Sequence, residues 1–149
     1  MKNGILKILC AVFLLCGLIA CGKDDIDTGK LTGVWCLTNV DGAVPTAAEY
    51  WSFNGRSNLD IMILDDSGTG GDGVSYIYQL EDDGKTIKVI EPSYGDNSSW
   101  AKFKIGKCTQ EELTITLKEL WIRKDTSIWS GGIGKKYSFR RENGVNTYL

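Results

Sequence analysis

The sequence contains no histidine, and this absence excludes several kinds of chemistry. Without an imidazole the chain cannot form a Ser-His-Asp triad or a Cys-His dyad, and it offers no histidine ligand to zinc. The chain also lacks an excess of positive charge, because 17 basic residues stand against 19 acidic ones. Proteins that bind nucleic acid carry a basic patch, so this balance argues against a nucleic-acid partner.

The first twenty residues have the plan of a secretory signal rather than of a folded element. A short positive region leads into an unbroken apolar run over residues 8–15, which is shorter than the roughly 20 residues needed to cross a bilayer. The segment Leu18-Ile19-Ala20-Cys21 matches the lipobox of bacterial lipoproteins, in which the cysteine thiol is acylated. We predict a lipoprotein signal peptide over residues 1–20 and lipidation of Cys21. The alternative is an ordinary secretory signal with an incidental cysteine.

A short charged segment follows the lipobox. Gly22-Lys23-Asp24-Asp25 resembles the export signal of surface lipoproteins in Bacteroidetes, which is a lysine and two acids behind the lipidated cysteine. The resemblance implies an outer-membrane lipoprotein that is exposed on the cell surface, with the periplasmic face of that membrane as the alternative. Residues 21–29 are then the lipidated cysteine and a flexible linker, and the membrane is a partner through the lipid anchor.

Removal of residues 1–20 would change both the charge and the cysteine content. The mature chain keeps 15 basic and 19 acidic residues, which gives a net charge of −4. With Cys21 carrying lipid, Cys36 and Cys108 are the thiols that remain. In an oxidising compartment these two either form a disulfide or stay as small apolar residues, and the sequence leaves both outcomes open.

The chain from residue 30 onward alternates between apolar and polar residues with a period of two, which is typical of β-strands. Glu81-Asp82-Asp83-Gly84 predicts a hairpin turn, and a helical tendency is confined to Ala47-Ala48-Glu49. The predicted strands lie near residues 31–40, 50–53, 59–64, 74–80, 86–90, 101–105, 113–117 and 137–141. Eight such strands leave exposed edges unless the sheet closes. We therefore predict an all-β domain over residues 30–149, an eight-stranded antiparallel up-and-down barrel.

Three short motifs of the predicted barrel resemble the lipocalin-like lipoproteins of Bacteroidetes. They are Leu31/Gly33/Trp35 on the first strand, Glu112-Leu113-Thr114 near the end and a closing Tyr137/Phe139/Arg141. The resemblance implies a lipocalin-like barrel over most of residues 30–143.

Closure of such a barrel pairs its first strand with its last. The two-residue period places Arg141 on the inward face, whereas Arg140 points into water. We therefore expect Gly33, Trp35 and Arg141 to close the barrel, with the guanidinium against the indole face and main-chain carbonyls around it.

Aromatic residues are the main candidates for a binding site. The sequence has fifteen of them, and the period places Trp51, Phe53, Tyr76, Tyr78 and Phe103 on inward faces. They either line a cavity for a small hydrophobic ligand, with tyrosine hydroxyls as polar groups, or simply fill the barrel.

Two classes of function correspond to these alternatives. One is a lipid-anchored module that binds a small apolar ligand, and the other is a structural or accessory lipoprotein that acts through protein–protein contacts. An open mouth lined by aromatic residues would favour the first class. A packed interior with an exposed apolar patch would favour the second.

The acidic clusters carry little chemistry. The run from Asp65 to Gly73 mixes acids with glycines, but Tyr76 stands at the twelfth position, where a calcium-binding EF-hand loop requires a glutamate. Glu81-Asp82-Asp83 and Glu111-Glu112 are adjacent carboxylates on turns, which are normally solvated. We therefore expect no enzyme activity, no cofactor and no metal.

Overall fold

The computed structural model describes residues 27–68, 70–92, 98–122 and 132–143, so the predicted signal peptide and Cys21 lie outside the described residues. In the described part, two 3-10 helices span Thr28–Lys30 and Asp82–Gly84. The strands are β1 Gly33–Val40, β2 Glu49–Phe53, β3 Asn58–Leu64, β4 Gly71–Glu81, β5 Thr86–Ile90, β6 Trp100–Cys108, β7 Glu112–Trp121 and β8 Lys136–Arg141. None of the helices described is long and apolar enough to cross a membrane.

Each strand pairs antiparallel with the next along the chain, and β8 pairs back onto β1 to close the ring. The prediction of an all-β fold with a closed, eight-stranded antiparallel barrel is confirmed. Closure leaves no strand edge unpaired, which removes the main route by which a sheet associates with other chains. The closing register sets Trp35 opposite Arg141 and Leu37 opposite Phe139.

The core lies inside the barrel because one face of every strand is apolar. Twenty buried residues form one cluster, and the largest of its fully buried side chains are Trp35, Trp51, Tyr76, Phe53 and Phe103. Full burial of one large apolar side chain contributes roughly 1.5–3 kcal/mol, so this cluster is the main source of stability.

The barrel has two different ends. The base holds the 3-10 helix Thr28–Lys30 and the short connections that follow β2, β4 and β6. The rim holds the longer connections that follow β1, β3, β5 and β7. The chain enters at the base, where the backbone N–H of Asp27 donates to the carbonyl of Cys108 at 2.8 Å. Asp27, the first residue described, therefore lies beside the end of β6.

Two local predictions have different outcomes. The hairpin turn between β4 and β5 is confirmed, with positive φ angles of 53° at Asp82, 54° at Asp83 and 83° at Gly84. The helical tendency of Ala47-Ala48-Glu49 is wrong. Glu49 begins β2 and pairs with Ile63 of β3, because pairing across the sheet outweighs a short run of helix-forming residues.

Candidate functional site

At the base, Arg141 lies over the indole of Trp35. Its Cζ is 4.2 Å from the ring centroid, and Trp35 itself is fully buried. The guanidinium donates to three main-chain carbonyls, from Nε to Gln110 at 2.6 Å, from Nη1 to Thr32 at 2.9 Å, and from Nη2 to Lys30. One side chain of the last strand thus ties together the entry to β1 and the turn between β6 and β7.

Gly33 makes room for this arrangement. Its φ is +137°, which side chains rarely adopt, and a Cβ built there would clash with Nη1 of Arg141. Arg140, one residue earlier, has a side chain that is 69% exposed and bonds Glu142 at 3.0 Å. Gly33 thus leaves space for the guanidinium of Arg141, and Trp35, two residues later, supplies the ring over which the guanidinium lies.

Inside the barrel, the five candidate cavity residues belong to one buried cluster that also contains aromatic residues of β8. Trp51 lies edge-on to Phe103 at 5.8 Å and tilted against Phe139 at 5.1 Å, and Phe53 meets Tyr78 edge-on at 5.1 Å. Trp51 and Phe53 are 1% exposed, Phe103 is not exposed, and Tyr76 and Tyr78 are 2% and 8% exposed. These five side chains therefore belong to the packed core of the barrel.

The tyrosine hydroxyls are held within the protein. Tyr78 donates to the carbonyl of Asn54 at 2.9 Å, near the base. Burial, together with the nearby carboxylates of Glu91 and Glu49, raises the pKa of Tyr76 to about 12. Burial and Glu49 also raise the pKa of Tyr137. Both hydroxyls therefore stay protonated and neutral at physiological pH.

Glu49 is a charged group at the rim side of this aromatic cluster. Its Oε1 accepts a hydrogen bond of 2.6 Å from Nε1 of Trp51. The bond orients the indole and engages one oxygen of the Glu49 carboxylate. The indole N–H of Trp51 and the hydroxyl of Tyr78 are therefore already engaged by protein acceptors, which suits a structural core.

The possible disulfide between Cys36 and Cys108 is not formed in the structure. Cys36 and Cys108 are both free thiols. Cys36 lies between the inward-facing Trp35 and Leu37 and so points outward, whereas Cys108 is fully buried in the core. The two-residue period therefore puts the thiols on opposite sides of the barrel wall. Burial raises the pKa of Cys108 to about 11, which makes it an unreactive thiol at neutral pH.

The acidic clusters form turns and ion pairs. Asp65 Oδ1 accepts from the backbone N–H and the hydroxyl of Ser67 at 3.0 Å and 2.5 Å, and these bonds lower the pKa of Asp65. Glu112 pairs with Lys107 at the base, beside an open polar groove of about 460 Å³. No group of three or more potential metal ligands occurs among the residues described.

An apolar row crosses the outer face of the barrel near the rim. Ile77 of β4 is opposite Ile90 of β5, Ile90 is opposite Trp100 of β6, and Trp100 is opposite Trp121 of β7. Ile77 is 42% exposed and Trp121 is 41% exposed, with Ile90 and Trp100 partly exposed between them. We call these four residues the outer apolar row.

Lysines border the outer apolar row on the side towards the base. The Nζ atoms of Lys88 and Lys102 lie 5.4 Å and 5.7 Å from the ring centroid of Trp100. Lys102 also forms a 2.8 Å ion pair with Glu81, and Lys104 is exposed further along β6. The outer apolar row was not predicted from the sequence, although the alternation of inward and outward residues could have identified it. The alternation that puts Ala101 inside puts Trp100 outside.

No protein-family model, no curated protein and no solved structure matches this chain, so its function has to be inferred from its own residues.

Proposed function

We propose that the chain is a lipid-anchored lipoprotein of the outer membrane, exposed on the cell surface, whose lipocalin-like barrel is a filled scaffold. It belongs to the structural or accessory class, and its contacts are made by the outer surface of the barrel. A binding site for a small hydrophobic ligand inside the barrel is the alternative.

The packing of the interior carries this proposal. The residues that would line a ligand cavity are at most 8% exposed: Trp51, Phe53, Tyr76, Tyr78 and Phe103. Among them, the ring of Trp51 contacts that of Phe103, and the ring of Phe53 contacts that of Tyr78. A ligand lying between these rings would have to separate them, and each aromatic pair contributes about 0.5–1.5 kcal/mol beyond its buried area. Exposed apolar side chains lie elsewhere on the protein surface, and Ile77 and Trp121 of the outer apolar row are among them. This is the combination that favours contacts with another surface over capture of a small molecule.

The base of the barrel supports the lipocalin-like part of the proposal. The residues that carry the family resemblance, Gly33, Trp35 and Arg141, meet at one point and depend on one another sterically. Such mutual dependence gives the short motifs a physical reason to occur together.

The lipid anchor is supported by the lipobox and by where the linker leaves the barrel. The backbone of Asp27 is fixed at the base, and five residues, 22–26, separate it from Cys21. A chain rises about 3.3–3.6 Å per residue, so the base can lie within roughly 20 Å of the bilayer surface. Several acyl chains on one cysteine, each contributing about 0.8 kcal/mol per buried CH₂, would hold the protein firmly.

Metabolic labelling with palmitate tests the anchor directly. The wild-type protein should incorporate the label and partition into the detergent phase, and Cys21→Ser should incorporate none. Cys16→Ser is the matched control, since this cysteine lies in the predicted signal peptide and should leave labelling unchanged. Labelling of the Cys21→Ser protein equal to wild type would refute the lipoprotein assignment.

A further inference from the structure

The wall formed by β4 to β7 combines apolar, aromatic and basic residues on one outward surface. The outer apolar row supplies two isoleucines and two tryptophans, and Lys88, Lys102 and Lys104 follow it on the outward positions of β5 and β6. Tryptophan beside lysine is typical of surfaces that rest on a membrane, because the indole prefers the headgroup level and the lysine stem can lie along apolar surface while its charge reaches phosphate.

We infer that this wall lies on the anionic headgroup layer of the membrane in which the Cys21 lipid is embedded. The inference rests on the proposed lipid anchor. It assigns the outer apolar row to the lipid surface and leaves the opposite wall, formed by β1, β2 and β8, facing away from the membrane.

The exit point of the linker makes this orientation accessible. Asp27 is bonded to Cys108, the last residue of β6, so the linker leaves at the base end of the same strand whose rim end carries Trp100. Nine residues of β6 at about 3.3 Å each span roughly 26 Å along the strand. A barrel lying on the β6 side therefore brings the anchor and the outer apolar row to the surface together. A barrel standing on its base would hold the row well above the headgroups.

Charge favours a lipid surface over a second copy of the chain. The mature chain would carry a net charge of −4, yet β5 and β6 present outward lysines around Trp100. Lys102 is paired with Glu81, so the repulsion in a dimer would come from Lys88 and Lys104. A two-fold dimer sets the same patch against itself and would bring these two lysines close to their copies. A phosphate-rich surface complements them, and this attraction weakens as salt concentration rises.

Quenching by brominated lipid tests the orientation. The lipidated mature protein, carrying Trp129→Phe in every sample, is reconstituted into phosphatidylcholine vesicles with and without phosphatidylglycerol. Phosphatidylcholine brominated on its acyl chains should quench the emission of Trp100 and Trp121 strongly in the anionic vesicles and less at high salt. Trp35 and Trp51 are at most 1% exposed and should not respond.

Two variants and one control make the result specific. Trp100→Phe/Trp121→Phe should abolish the quenching, and Lys88→Glu/Lys104→Glu should reduce it to the level in neutral vesicles. Arg56→Glu/Lys136→Glu removes the same charge from other parts of the surface and should leave the quenching unchanged.

The outcomes separate the two proposals. A protein that fails to float with neutral vesicles contradicts the lipid anchor. The proposed orientation is overturned if the protein floats but shows no quenching, or if the quenching is the same in both double variants as in the protein without them. The tryptophans could instead be protected from quenching, with the protection lost when the protein is diluted over more vesicle surface. This result would assign the wall to a contact with a second copy and would also overturn the proposed orientation.

Discussion

The Arg141 guanidinium sits 4.2 Å from the centre of the Trp35 ring, and the two residues are direct partners across the seam between β1 and β8. The seam is where the barrel closes, so this contact joins the two ends of the folded chain. Because the guanidinium also serves three carbonyls, its loss would leave these acceptors without their donor as well as uncovering the indole.

Arg141→Ala should therefore lower the free energy of unfolding by clearly more than Arg140→Ala, which removes only an exposed ion pair. Trp35→Ala should cost about 3–5 kcal/mol as a large truncation in the core. The double variant Trp35→Ala/Arg141→Ala should lose less than the sum of the two single losses, since each residue acts partly through the other. Chemical denaturation of the four variants measures these differences. Equal costs at Arg140 and Arg141, or strict additivity at the pair, would refute the closing role.

Gly33→Ala should destabilise the barrel through Arg141. The added methyl would occupy the position of Nη1, and φ of +137° is unfavourable for alanine. The cost should shrink when Arg141 is also alanine, because the steric part disappears and only the backbone part remains. Gly55→Ala is the control, since its nearest neighbour would be Thr32 Oγ1 at 4.0 Å. A Gly33→Ala protein as stable as Gly55→Ala would show that the close approach of Arg141 to Gly33 does not affect stability.

The free energy of unfolding should be lower at alkaline pH than at neutral or mildly acidic pH. Burial raises the pKa of Cys108 from 9.0 to about 11 and that of Tyr76 from 10.0 to about 12. The unfolded chain releases these protons first, so the stability they contribute is complete below about pH 9 and is lost between about pH 9 and 12. One pKa unit corresponds to about 1.4 kcal/mol, which sets the expected loss at a few kcal/mol.

Denaturation curves recorded across this pH range give the slope. Tyr76→Phe and Cys108→Ala should each make the free energy of unfolding less dependent on pH above pH 9, whatever their effect at pH 7. An unchanged slope in both variants would mean that these two groups do not titrate with unfolding.

The strands of this barrel could be predicted from the sequence because alternation is a local signal. Each residue of β2, such as Trp51, is assigned a face by its immediate neighbours, and the same parity separates Arg141 from Arg140. The closure between Trp35 and Arg141 followed from strand order alone, since the first and last strands of an up-and-down barrel must meet.

Features that depend on register between strands could not be predicted. The pairing of β6 with β7 shifts by one residue between Lys102 and Phe103, and this shift sets Trp121 opposite Trp100. Without the shift Leu120, rather than Trp121, would lie opposite Trp100 on the outer face. Whether the interior rings of Trp51 and Phe103 touch or leave a gap is likewise a matter of distances of a few ångströms, which alternation does not encode.

Export to the cell surface should depend on the charged residues behind the anchor. Changing Lys23, Asp24 and Asp25 together to alanine should lower the accessibility of the protein to added protease in intact cells. Palmitate incorporation should stay the same, because the lipobox is untouched. Proteolysis equal to wild type would mean that the three charged residues belong to an ordinary solvated linker and do not direct export.

Native mass spectrometry of the protein purified from its own host tests the filled barrel most directly. A core in which Trp51, Phe53 and Phe103 are at most 1% exposed should yield the mass of the lipidated chain alone, with no small molecule retained under gentle ionisation. A stoichiometric co-purifying molecule that protects Trp51 from quenching and is lost on unfolding would contradict the filled scaffold and restore the ligand-binding alternative.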